Sequence, residues 1–378
     1  MNRHHKFKLA ILLLFFLIFL SGCWDFAEVD RRAFVTTIGI DDGPGSKVLV
    51  SVQIPNPHKM IPLLNATSGE DSRNFSLIST TASTVNEALN ILLTKTYRNL
   101  VIEQNKSIII GAKVFENDNV TDLIDHLTRN PKAPLQALVF ICKDATAKSI
   151  LEATPVQEVL PGLMFVQSAQ TTFKYDRTFY IPIWRFEQRL IHSAKDAYAP
   201  LISFDPTETT YVEAGLAVFN GSRLVGELTP HETQLFGIIT GMMSQGGMTF
   251  SLSLGEVTLA NLNSKSKIRI LLKDGRPYYS IKIFISANIS ELIKRSNGFM
   301  TPQKVIEIER EIEKVLKTEL SKVVKKLQKL NSDVLDFGEE LRVQHQRYWN
   351  QTEWKQEYPT VQFNIDVKVR IRKTGAKQ

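Results

Sequence analysis

Residues 361–372 read Val361-Gln362-Phe363-Asn364-Ile365-Asp366-Val367-Lys368-Val369-Arg370-Ile371-Arg372. Apolar and polar residues alternate without a break. Successive strand side chains point to opposite faces, so Val361, Phe363, Ile365, Val367, Val369 and Ile371 form one dry face. The residues between them form a wet one. A sheet of this kind needs a cover on one face only. Upstream, 302–330 carries Val305, Ile308, Ile312, Leu316, Leu320, Val323, Leu327 and Leu330 at steps of three and four. That is the stripe of a long amphipathic helix. Together they predict an α+β region whose sheet carries helices on one face.

Working outward, 249–254, 267–272 and 278–289 read as further strands, the last two joined by Asp274-Gly275. A shorter helix is expected over 338–349. Segments 211–219 and 223–228 flank Asn220-Gly221, a type I′ hairpin signal. In Thr229-Pro230-His231-Glu232, Thr is an N-cap, Pro suits the first helical position, and Glu closes a capping box. The helix it opens runs to about 243.

Nearer the start, 33–40 and 47–54 read as strands around a turn, Asp41-Asp42-Gly43-Pro44-Gly45. Residues 55–74 suggest a long surface loop. A strand at 75–80 precedes a helix capped by Thr84 and Glu87 and carrying Val85, Leu89, Leu92 and Leu93. Two strand–helix pairs follow: 106–110 with 120–129, and 136–142 with a helix capped by Asp144 and running to 153. The stretch 154–205 has little period, and 198–206 reads as a linker. The expectation is a multi-domain α+β protein, with mixed and antiparallel sheets each flanked by helices. An N-terminal α/β domain spans 23–200, and a C-terminal α+β region spans 206–378, with a subdomain division near 262.

The chain has 378 residues, 43% hydrophobic and 22% charged. A single core stops growing at about 250–300 residues, so more than one domain is expected. The net charge is +7, and the +4 that remains without Arg3, Lys6 and Lys8 is too mild on this length to argue for nucleic acid. There are two cysteines, and Cys142 lies in the apolar run Leu138-Val139-Phe140-Ile141-Cys142, where a buried thiol is expected.

Enzyme templates fail at named positions. His231-Glu232-Thr233-Gln234-Leu235 has Leu235 where a zincin needs its second histidine. In Gly241-Met242-Met243-Ser244-Gln245-Gly246, Gly241 is one residue too far from Ser244 for a nucleophile elbow. Asp41-Asp42 read as turn residues. The expectation is a non-enzyme with no catalytic residues, cofactor or metal. Lys314, Lys317, Lys322, Lys325, Lys326 and Lys329 read as a solvated helix face rather than a lipid contact. Met242, Met243, Gly246, Gly247 and Met248 read as packing at a helix end, and Trp349 and Trp354 as a brace.

The first residues are of another kind. Arg3, Lys6 and Lys8 precede an apolar run over 9–20, and Leu20-Ser21-Gly22-Cys23 follows. Twelve apolar residues fall short of the ~20 that span a bilayer. A basic n-region, a short h-region and small residues ending in cysteine make a secretory signal with a lipobox. Residues 1–22 are then removed, leaving 356 residues of charge +4, because three cations and no acid depart. Cys23 becomes a lipidated N-terminus bearing diacylglycerol, with palmitate as the expected acyl chain. Two acyl chains anchor stably where one binds reversibly.

These residues resemble the Ger(x)C family, the lipoprotein C subunits of spore germinant receptors. The likeness runs from Cys23-Trp24-Asp25, Glu28 and Phe34 through Gly39-Ile40-Asp41. It continues at Arg98, Ile108 to Gly111, Leu123, Asp125, Arg129 and Ala147 to Leu151. The most specific blocks are Gly215-Leu216-Ala217-Val218-Phe219, Leu224-Val225-Gly226-Glu227-Leu228 and Glu232-Thr233. The end adds Leu327-Gln328, Asp333, Phe337-Gly338, Tyr348-Trp349, Trp354 and the final strand. The family's basic residues after Cys-Trp-Asp are replaced here by Phe26-Ala27. The resemblance implies a three-domain lipoprotein on the outer face of the inner spore membrane. It implies partners too: a multi-pass A subunit and a transporter-like B subunit, which together respond to small nutrients and trigger germination. Cys23 is the one site residue carried over. A stand-alone solute-binding lipoprotein is the alternative reading, and direct small-molecule binding stays open between the two.

Overall fold

Two short strands explain the larger sheet. Ser107–Gly111 (β6) is buried throughout, and Leu138–Cys142 (β7) nearly so. Strands without polar alternation need cover on both faces. Ile108, Ile110, Val139 and Ile141 share one core with Val85–Thr94 (α1), Val120–Arg129 (α2) and Ile183–Leu190 (α5). Ile109, Phe140 and Cys142 face the other way, toward Ala147–Glu152 (α3) and Pro161–Thr172 (α4). The computed structural model describes residues 31–56, 74–116, 120–130, 132–153, 160–172, 178–205, 210–294 and 301–373. The expected loop at 55–74 lies almost wholly outside them.

The remaining strands of this sheet are Thr37–Asp42 (β2), Val48–Pro55 (β3), Phe75–Ala82 (β4), Tyr198–Asp205 (β8), Thr210–Asn220 (β9) and Arg223–Leu228 (β10). The order is β10-β9-β8-β7-β6-β2-β3-β4. The centre, β8-β7-β6-β2, is parallel. Both wings are antiparallel. A separate pair, Arg32–Phe34 (β1) and Asn99–Val101 (β5), is parallel.

The structure departs from the sequence expectations at several points. The strand at 33–40 is two strands, because Thr36 leaves the line and bonds the Gln53 carbonyl through its N–H and its hydroxyl. Over 198–205 the expected linker is strand β8, paired on both sides. Its Pro200 hid it, since proline inside a strand argues against one. Asp144 does not cap α3; Thr146 does, in a capping box with Ser149. Helices α4 and α5 lie within the stretch that showed little period. Asn220 stays in strand β9, so the positive φ of that hairpin falls on Gly221.

The smaller sheet is β11-β12-β13-β14: Gly246–Leu252, Gly255–Lys273, Arg276–Lys294 and Gln362–Lys373. Strands β12 and β13 have 19 residues each, far longer than read from sequence. Asp274 and Gly275 both have positive φ, as a type I′ turn requires. Residue 262 sits inside β12, at a bulge where Asn261 has φ 52°. β14 lies parallel to β13 at the sheet edge, with Ile365, Val367, Val369 and Ile371 buried. Pro302–Lys329 (α7) covers that face, burying Ile308, Ile312, Leu316, Leu320, Val323 and Leu327. The opposite face leaves Lys265, Lys267, Lys282, Phe284 and Lys368 exposed. Pro230–Thr240 (α6) has the expected capping box and ends at Gly241 in the left-handed region. The expected helix at 338–349 is broken at His345 into Phe337–Gln344 (α8) and Gln346–Trp349 (α9); Trp354–Glu357 (α10) follows.

Candidate functional site

The lipidation residue Cys23 and the run 9–20 lie outside the described residues. The described chain begins beside β1, and no helix in it is long and apolar enough to cross a membrane.

The densest polar cluster joins the two sheets. Asp196 is fully buried in the turn before β8. Its carboxylate accepts from the Lys355 ammonium at 2.5 and 2.6 Å, from Gly221 N–H at 2.8 Å and from Asp333 N–H at 2.6 Å. Asp196 N–H donates in return to the Asp333 carbonyl at 3.0 Å. Asp333 accepts from Phe337 N–H, Gly338 N–H and the Trp354 indole at 2.7–2.9 Å. Burial pushes the Asp333 carboxyl up to about 7; the Gly338 and Phe337 N–H bonds pull the other way, and Asp336 and Asp196 add to the rise. Arg189 on α5 is buried too. Its guanidinium reaches Asp336 at 2.5 Å and the Asp196 carbonyl at 2.7 Å, and lies 5.1 Å from the Tyr198 ring centre. Every group here has a partner, so the cluster holds two parts of the chain in register. The sequence marked Asp333 only through resemblance, and Trp354 through resemblance and as a brace. Asp196, Arg189 and Lys355 carried no local signal, because their partners lie up to 159 positions away.

The other sequence candidates resolve as structure. Asp41 is buried rather than a turn residue: it accepts from Ala147 and Lys148 N–H at 2.7 and 2.9 Å. It thus satisfies two orphan donors at the start of α3 and complements the helix dipole. Glu232 closes its capping box and pairs with Lys326 at 2.6 Å. Ser244 is an exposed turn residue. Cys142 is buried, and burial raises its thiol strongly, which makes it inert. Met243 and Met248 are buried, Trp354 is buried against Tyr358, and Trp349 packs on Trp354. Lys314, Lys317, Lys322, Lys325 and Lys329 are exposed on α7. Among the described residues, no group of three His, Cys, Asp or Glu side chains is placed to hold a metal.

One groove of about 560 Å³ runs between α1, β5 and the end of α2. Leu89, Leu93, Leu100 and Ile102 floor it, with Arg129 and Lys132 at its rim.

Residues 25–204 match the family model described as spore germination protein N-terminal domain. Residues 214–375 match the model described as spore germination B3/GerAC like, C-terminal. Spore germination protein KC of Bacillus subtilis (strain 168) is 24% identical, over 98% of this chain and 97% of that protein. Spore germination protein B3 of the same organism is 23% identical, over 96% of each. Spore germination protein GerQC of Bacillus cereus is 23% identical, over 98% of this chain and 100% of that protein. The crystal structure of the GerBC protein aligns with a TM-score of 0.58 at 17% identity, over 88% of this chain and 96% of that one. At that identity the match speaks to fold: the same multi-domain α+β arrangement.

Proposed function

The chain belongs to the GerAC-like family of spore germination proteins, the C subunits of germinant receptors, and from that premise we propose that it works as a membrane-tethered, non-enzymatic lipoprotein subunit of a nutrient germinant receptor. One observation carries the reading: germination proteins match this chain along nearly its whole length and theirs. Diacylglycerol on Cys23 holds the folded body at the outer face of the inner spore membrane. There it assembles with multi-pass A and B subunits. Confinement to a thin layer raises its effective concentration, so weak contacts suffice for assembly. The buried carboxylates Asp196 and Asp333 are spent on holding shape, which suits a scaffold or relay rather than a catalyst.

Cys23→Ala is expected to abolish fatty-acid labelling and release the protein from spore membranes. Labelled Cys23→Ala protein would sink the tether. Co-purification from spores tests the assembly: the A and B subunits should accompany the wild-type chain. The stand-alone solute-binding reading would place a nutrient in the groove between α1, β5 and α2. Calorimetry of the intact chain with amino acids and sugars separates the two, and heat of binding in the absence of partners would favour that reading.

A further inference from the structure

The two strands of the small parallel sheet begin at the same end. Arg32 pairs with Asn99 and Phe34 with Val101, so the chain arriving from Cys23 enters beside the connection between α1 and β5. Eight residue steps separate Cys23 from Arg31. They span at most about 28 Å fully extended. A lipid on Cys23 therefore keeps this corner within that distance of the bilayer, whatever path the intervening residues take.

The corner's chemistry matches that position. Residues 31–34 read Arg-Arg-Ala-Phe and 95–101 read Lys-Thr-Tyr-Arg-Asn-Leu-Val, four cations and no acid. Tyr97 is 93% exposed, the most exposed large apolar side chain among the described residues, and Leu93 at the end of α1 is 41% exposed. The Arg98 guanidinium lies 5.3 Å from the Tyr97 ring centre, and Lys95 reaches across to the Ser79 carbonyl at 2.8 Å. An amphipathic ring among cations is the composition that seats at the headgroup level of a membrane. Against it stand Asp25, Glu28 and Asp30 in the preceding segment. The dependence on lipid charge is therefore a real test.

We propose that the corner formed by Arg31, Arg32, Lys95, Tyr97 and Arg98 docks on the anionic bilayer surface, fixing which face of the protein the membrane sees. The inference rests on the tether of Cys23. It adds an orientation: α7 packs on β14, β11 and α6 rather than on the elements of this corner, which makes its lysines the reference face.

The test uses the full lipidated chain, reconstituted in vesicles of phosphatidylglycerol with a nitroxide-labelled lipid. A bimane label is placed on Asn99→Cys or on Lys322→Cys; buried Cys142 stays unlabelled. The Asn99 label should lose fluorescence through contact quenching, and the Lys322 label should not. Lys95→Gln should reduce the docked population about fivefold, the equivalent of roughly 1 kcal/mol per cation near an anionic surface. Phosphatidylcholine vesicles should reduce it further. Protein that floats with vesicles while both labels stay bright, or are quenched alike, overturns the docking face and leaves the tether standing. Equal quenching on neutral and anionic vesicles overturns the recognition of lipid charge. Protein that fails to float overturns both.

Discussion

Asp333 illustrates how a single carboxylate organises its surroundings. Three donors converge on it from Phe337, Gly338 and Trp354, all in the interior. Removing the acceptor strands each donor, and a buried orphan costs about 1–3 kcal/mol. Asp333→Ala is expected to lose about 4 kcal/mol of stability, read as a lowered urea midpoint with unchanged slope. Glu232 works by a different balance. Burial pushes its carboxyl up, but the Lys326 ammonium and the Thr229 N–H outweigh that and hold it below the usual range. A lowered folded value stabilises above the ordinary 4.5 and fades as pH falls through the folded value. Glu232→Ala should cost about 1 kcal/mol near neutral pH, combining a cap with a half-exposed pair. Urea melts at about pH 7 and about pH 3 should show that difference shrinking with acid.

At the scale of elements, the legible parts were those whose signal is local. The alternation of β14, the stripe of α7 and the Thr229–Glu232 box each occupy adjacent residues, and each stands in the structure as read. What escaped were elements defined by distant partners. Strand β8 contains a proline and pairs with β7 and β9 only through the tertiary fold. Helix α5 is eight residues long and packs Phe186 against Phe115 and Phe219. The clamp around Asp196 was not legible, since no periodicity announces buried partners so far apart in sequence; the expected lipidation residue Cys23 lies outside the described residues. Gly215 shows why one specific block reads as it does. It has φ 124° at a bulge of β9, and a Cβ there would lie 2.0 Å from the Leu228 carbonyl oxygen. Gly215→Ala must therefore move β10 or strain the backbone. A loss of about 3 kcal/mol is expected, with Gly221→Ala as a comparison whose added Cβ meets open space.

Across the whole molecule, the two family models meet where β8 passes into β9, yet one sheet runs through that place. The division between 23–200 and 206–378 is accordingly proposed as a boundary between sequence modules. The Asp196 cluster adds a second weld, from the turn before β8 to α10 and to the chain before α8. Calorimetry of the intact chain should show a single transition. Asp196→Ala, which strands the Gly221 and Asp333 N–H donors and unpairs the partly exposed Lys355, should move that transition down by about 3 kcal/mol in stability. Two resolved transitions in the wild-type chain would mean that the sheet parts at this seam.

The last strand of the sequence lies at the open edge of the smaller sheet, parallel to β13, and much of the α7 stripe rests on it. A polypeptide made from its amino end therefore delivers this strand after the helix that rests on it. Until it arrives, a helix of 28 residues has built its greasy side with part of its seat missing. This half of the molecule can lock only once β14 has arrived, so until then the apolar side of α7 must be kept from sticking to its neighbours.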